Sequence, residues 1–178
     1  MSSATKFLLL AITFLAGNAF ALPDDRSQPV QIEANQAERD AKTGVTTYSG
    51  NVDIRQGSIH ISADNVVLDT KNNELTRIRA TGGPATYSQQ LTGPTDTVEA
   101  KASTIHFDVA KDLITLQGNG SIKQQGSSIT GEHIEYDIKS ERVKAQAAEP
   151  GSSNNSKRIT VVIPAAKKST ESTGKNKP

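Results

Sequence analysis

Four short blocks of this chain place an Asp eight residues after the block's first position. Ile32-Glu33-Ala34 leads to Asp40, Ile61-Ser62-Ala63 to Asp69, Ala100-Lys101-Ala102 to Asp108, and Ile129-Thr130-Gly131 to Asp137. The Asp-to-Asp steps are 29, 39 and 29, so the blocks pair into two larger units offset by 68. At that offset Gly50-Asn51 matches Gly118-Asn119, Ile54 matches Ile122, Ile61 matches Ile129, Val66 matches Ile134 and Leu68 matches Tyr136. A period of this size belongs to stacked supersecondary units, none of which can bury its apolar face alone. The chain is a repeat array, and its core must form between repeats.

Within the repeats the dominant period is two. Val52 and Ile54 alternate with Asn51, Asp53 and Arg55, and Ile59, Ile61 and Ala63 with Ser58, His60 and Ser62. The pattern continues through Ile105/Phe107/Val109 and Ile134/Tyr136/Ile138, separated by turn signals at Gln56-Gly57, Lys71-Asn72-Asn73, Gly82-Gly83-Pro84, Gly93-Pro94 and Gln125-Gly126. Strict alternation between such turns predicts short strands with one apolar face, hence an all-β antiparallel fold. Residues 35–42 are good helix formers, but their counterparts in the other blocks read as strands, so the repeat predicts a strand here too. The small residues Ala34, Ala63, Ala102 and Gly131 sit where apolar parity shifts, which predicts a bend or bulge at each. Asp40, Asp69, Asp108 and Asp137 are expected to end their strands and accept turn N–H groups, a structural role.

The two ends differ from the middle. Residues 1–21 have the layout of a secretory signal peptide: Lys6, an apolar stretch over 7–17, and Ala19-Phe20-Ala21 as an Ala-x-Ala site. The stretch falls short of the roughly 20 residues a membrane span needs. Residues 22–147 form the expected folded domain. Residues 148–178 read as a flexible basic tail carrying a strand-like run at 158–163. Residues 22–149 hold 13 basic and 18 acidic side chains, whereas 150–178 hold six basic ones and Glu171 alone. The chain has no Cys and no Trp, so packing and backbone pairing must hold it without disulfides. With so few aromatics, a thin regular sheet assembly fits better than a thick core.

No constellation for catalysis stands out. His60, His106 and His133 each neighbour inward-facing residues and should point outward. They do not converge with carboxylates at metal-ligand spacing. No nucleophile elbow, phosphate-cradling glycine loop or zinc-protease motif occurs. Neither catalytic nor metal-binding residues are expected, and no cofactor. The acidic folded part, without exposed aromatic platforms, disfavours nucleic acid. The sequon at 154–156 lies in the tail.

The inner face predicted by alternation and the 68-residue offset comprises Ile32, Val52, Ile54, Ile61, Val66, Leu68, Ile78, Ile105, Phe107, Leu116, Ile122, Ile129, Ile134 and Tyr136. Two readings of this face stay open on pattern alone. It packs on itself as the dry core of a structural or adhesive β-repeat protein, or it lines a space that accepts acyl chains.

Gly50-Asn51-Val52-Asp53-Ile54-Arg55-Gln56-Gly57 followed by Ile61-Ser62-Ala63-Asp64-Asn65-Val66-Val67-Leu68-Asp69 resembles the signature of the OstA-like domain family. The resemblance covers about residues 28–146 and departs from the pattern in the last two blocks, where Lys101-Ala102-Ser103 and Thr130-Gly131-Glu132-His133 replace Ala-Asp-Asn. It implies a β-jellyroll, or folded-over sheet, of about sixteen short antiparallel strands. It also implies a non-enzymatic periplasmic carrier of lipopolysaccharide, whose apolar interior shields the lipid A acyl chains. The implied partners are an inner-membrane LptC-like protein, an outer-membrane LptD-like protein and further copies of the chain, joined head to tail by edge-strand pairing into a bridge for export. The pairing edges expected here are residues 28–34 and 140–147. The run at 158–163 either folds back as a cap or pairs with the next subunit.

Overall fold

The computed structural model describes residues 25–72, 74–91, 96–148 and 158–165. The expected signal peptide, the Gly93-Pro94 turn, the sequon and most of the basic tail lie outside the described residues. A 3₁₀ turn at Asp25–Ser27 precedes ten strands: β1 (Gln31–Glu33), β2 (Gln36–Asp40), β3 (Val45–Gln56), β4 (Ile59–Lys71), β5 (Glu74–Gln90), β6 (Thr97–Asp108), β7 (Leu113–Gln124), β8 (Ser127–Asp137), β9 (Arg142–Gln146) and β10 (Thr160–Val162). They form one antiparallel sheet in which β3 to β8 follow sequence order. Both β1 and β2 pair with β3, and both β9 and β10 pair with β8. The segment with helical propensity, 35–42, forms β2. There the antiparallel ladder with Tyr48 and its neighbours outweighs a weak local preference.

Each long strand is interrupted near its middle. The register shifts at Ser49/Val52, Ser62/Asn65, Thr81/Ala85, Lys101/Thr104 and Gln117/Gly120. These interruptions line up across the sheet as a crease that passes through Ala34, Ala63, Ala102 and Gly131, the positions where parity predicts bulges. The 68-residue repeat is visible in the backbone. Gly50-Asn51 and Gly118-Asn119 both adopt positive φ, at 79° and 47° in the first pair and 77° and 53° in the second. Glycine takes this region without cost and Asn at little cost. Room is short as well: a Cβ on Gly50 would lie 2.7 Å from Asn35 Nδ2, and one on Gly118 would lie 2.9 Å from Ser103 Oγ. Asn35 and Ser103 are themselves 68 residues apart.

The crease divides the sheet into two leaves. The first holds β2, β9 and the segments around 45–49, 65–71, 74–81, 104–108, 113–117 and 133–137. The second holds β1, β10 and 52–56, 59–63, 85–90, 97–101, 120–124 and 127–131. Six creased strands and four short ones give sixteen straight segments, which reconciles ten strands with the sixteen that the resemblance implies. The leaves fold face to face. Tyr87 of the second meets Phe107 of the first edge-on, ring centroids 6.1 Å apart and planes at 70°, the geometry aromatic quadrupoles favour.

Opposite the crease the turns of the two leaves form two lips. Three of the four repeat Asp residues clamp turns here. Asp40 Oδ1 accepts from Lys42 N at 2.8 Å, Asp108 Oδ1 from Lys111 N at 3.2 Å and Asp137 Oδ1 from Ser140 N at 2.9 Å. Asp69 corrects the expectation. It does not end its strand, because β4 runs on to Lys71, and Asp69 stands in register between Val45 and Arg77.

Candidate binding interior

The inner faces of both leaves merge into one apolar cluster. Twelve of the fourteen residues expected there are buried, from Val52, Ile54, Ile61, Val66, Leu68 and Ile78 to Ile105, Phe107, Leu116, Ile122, Ile134 and Tyr136. Ile32 and Ile129 are half-buried and pack against the cluster. The sequence pattern missed Tyr87, Val98 and Ile114, all at most 1% exposed. Parity contained the signal: Ala85/Tyr87 and Val98/Ala100/Ala102 alternate, and Ile114 shares Leu116's side of β7. Short polar neighbours and the nearby Gly-Gly-Pro and Gly-Pro turns obscured it.

Among the described residues both ends of this interior stay open. At one end Ile32 of β1 faces the interior opposite Ile54, and Val30 is 40% exposed. At the other, the run at 158–163 folds back within the chain: β10 pairs antiparallel with β8, Val161 opposite Ile129. The expected edge near 140–147 is therefore the edge of the first leaf only, as β9, while β10 forms the edge of the second. Val161 shares the face of Ile129 and is 55% exposed; Ile163, two residues on, is 77% exposed. Apolar lining thus continues to margins that no described residue covers.

Polar side chains gather at the lips. Asp25 Oδ1 accepts from Ser58 N at 2.6 Å, and its Oδ2 accepts from Ser58 Oγ at 2.8 Å and from Gln89 Nε2 at 2.9 Å, all in the second leaf. The next residue, Arg26, crosses to the first leaf. Its guanidinium donates to the Val109 carbonyl at 2.9 Å and ion-pairs with the buried carboxylate of Asp112, which Lys139 also reaches at 3.1 Å. Gln56 Nε2 donates to the Gln28 carbonyl at 3.1 Å. The 3₁₀ turn is therefore a clasp across the seam. Inside it, the Tyr87 hydroxyl donates to Gln89 Oε1 at 2.6 Å, and burial raises its pKa far above the ordinary phenol range.

The histidines behave as outer-face residues. His60 pairs with Asp53, whose carboxyl burial would raise but which hydrogen bonds from His60 and Arg55 hold below its ordinary pKa. His106 has its pKa lowered by burial and by Arg79. His133 approaches Glu135 at 3.5 Å. Among the described residues no group of three or more His, Cys, Asp or Glu side chains is placed to hold a metal ion. No helix among them is long and apolar enough to cross a membrane.

A folded-over antiparallel sheet with an apolar interior open at both margins defines the chain as an OstA-type β-jellyroll. It belongs to the family described as LptA/(LptD N-terminal domain) LPS transport protein, whose model matches residues 31–142. It is 37% identical over 164 residues to the lipopolysaccharide export system protein LptA of Haemophilus influenzae, covering 90% of this chain and 91% of that one. It is 37% identical over 160 residues to LptA of Escherichia coli K12, covering 88% and 83%. The crystal structure of LptH from Pseudomonas aeruginosa superposes with a TM-score of 0.74 at 32% identity, covering 80% of this chain and all of that one. LptH is described as the LptA-homologous periplasmic component of the conserved lipopolysaccharide transport device.

Proposed function

We propose that this chain is a periplasmic, non-enzymatic carrier for lipopolysaccharide export, which takes the lipid's acyl chains between its two leaves and leaves the sugars in water. The observation that carries this reading is an apolar interior that runs without interruption to exposed apolar side chains at both margins of the described residues, in a member of a lipopolysaccharide transport family. Each CH₂ hidden from water contributes about 0.8 kcal/mol, so a lipid with several acyl chains crosses an aqueous gap only inside such a lining. The leaves pack against each other, so binding parts them. Photo-crosslinking side chains at Leu116, Ile122 and Ile134 should capture lipopolysaccharide, whereas the same groups at Asp53, His60, Lys123 and Glu135 on the outer faces should not. Equal capture from both sets refutes the interior as the binding site.

The same reading extends to assembly. Among the described residues the β1/β2 edge and the β9/β10 edge each end the sheet beside exposed apolar side chains, a surface that invites strand addition. Copies would stack head to tail through these edges, and LptC-like and LptD-like partners would take the terminal ones. Truncation after Ala147 removes β10 and should abolish concentration-dependent oligomers in light scattering while leaving lipid capture in place. Oligomers that survive the truncation move the interface elsewhere.

A further inference from the structure

Tyr136 lies on β8 between Ile114 of β7 and Val143 of β9, with no exposed surface. Its hydroxyl is closed off from bulk water and has no hydrogen-bond partner among the described residues. Tyr87, the other fully buried tyrosine, is satisfied through Gln89 and the clasp. A buried hydroxyl without a partner is costly, and Phe would fill the same space without that cost. The hydroxyl is therefore poised for a group that the described residues do not supply.

The surroundings define that group. Burial, then Glu141, Asp96 and Asp137, push the Tyr136 pKa up to about 12, so the phenol remains a protonated donor at neutral pH. Those carboxylates disfavour an anionic acceptor such as phosphate. Glu141 and Asp96 belong to opposite lips, which places Tyr136 towards the seam, where the head ends of acyl chains would lie if their sugars stay in water. We propose that the Tyr136 hydroxyl donates to a neutral oxygen at the head end of a bound acyl chain, an ester or amide carbonyl or a chain hydroxyl, and so selects oxygenated acyl chains over plain hydrocarbon. The inference rests on the acyl-carrier reading above.

The test compares wild type and Tyr136→Phe for thermal unfolding without ligand and for binding to two probes. These are lipid A and an ether-linked analogue lacking carbonyls and chain hydroxyls. The empty variant should melt at or above wild type, since it loses an unsatisfied polar group. Its Kd for lipid A should rise about tenfold, as one lost buried hydrogen bond requires, with its Kd for the analogue unchanged. An unchanged Kd for lipid A overturns the assignment and leaves the carrier reading intact. A variant that melts lower and binds both probes equally poorly overturns it too, because the hydroxyl would then be structural. If wild type binds neither probe, the carrier reading fails and this inference with it.

Discussion

The crease and the seam bound the same two leaves from opposite margins and are built from different materials. At the crease the backbone itself changes direction, through paired positive-φ residues at Gly50-Asn51 and Gly118-Asn119 that leave no room for a Cβ on the glycine. At the seam the backbone forms ordinary turns, and closure comes from side chains: the Asp25 carboxylate on one lip, and the Arg26 guanidinium with Asp112 on the other. A bend fixed by φ is rigid in position. Contacts each worth about 1 kcal/mol make and break readily. The molecule is thus held by its backbone at the crease and fastened by side chains at the seam, a contrast that suits the proposed parting of the leaves.

The most direct way to break this contrast is at the hinge. Gly118→Val puts a β-branched side chain at φ 77° and against Ser103, and should cost about 3 kcal/mol in urea unfolding. Gly50→Val should behave alike, because the 68-residue repeat gives it the equivalent neighbour in Asn35. A variant at either glycine that unfolds like wild type would show that positive φ and close packing do not fix the crease.

The seam should respond more gently and in a different observable. Arg26→Ala removes a half-exposed cation from a clasp that retains Lys139 beside Asp112, so the loss should be about 1 kcal/mol. Spin labels at Gln125 and Ser140, on opposite lips, should report a broader and longer distance distribution in the variant. The chain has no native Cys to interfere, and high salt should shift wild type in the same direction by screening the pair. An unchanged distribution would mean that the lips are held together elsewhere.

These two margins also separate what was legible in the sequence from what was not. The crease was legible because a bulge must fall at the same place in every strand, and repetition turns weak local signals into a pattern: small residues at 34, 63, 102 and 131, and Gly-Asn twice. The inner face was legible for the same reason, since burial on a pleated sheet enforces period two. The clasp was not. Asp25 and Arg26 sit in a polar run with no period, and their partners are 33 to 86 residues away, at Ser58, Gln89 and Asp112. No local rule brings those positions together before the leaves are folded. The fate of 158–163 was equally hidden, because a short apolar strand fits any exposed ladder, and only the free second-leaf side of β8 decided it.

The smallest expected effect tests the repeat itself, at its one irregular member. Asp137 accepts the Ser140 amide, and that bond is the main reason its carboxyl lies below the ordinary carboxylate range. The amide of Lys42 lowers Asp40 in the same way, and Lys111 lowers Asp108. A carboxylate whose pKa is lower folded than unfolded stabilises the native state above its unfolded pKa, and that contribution disappears as pH falls through the folded value. Asp137→Asn keeps an acceptor oxygen but loses the charge, so it should lower Tm slightly at neutral pH. The gap from wild type should hold down to about pH 4 and close below it. Asp69 stands inside β4, short of the strand end, so Asp69→Asn should leave Tm at neutral pH close to that of wild type. If Asp69→Asn lowers the neutral-pH Tm as much as Asp137→Asn does, Asp69 clamps a turn after all, and all four blocks would be equivalent.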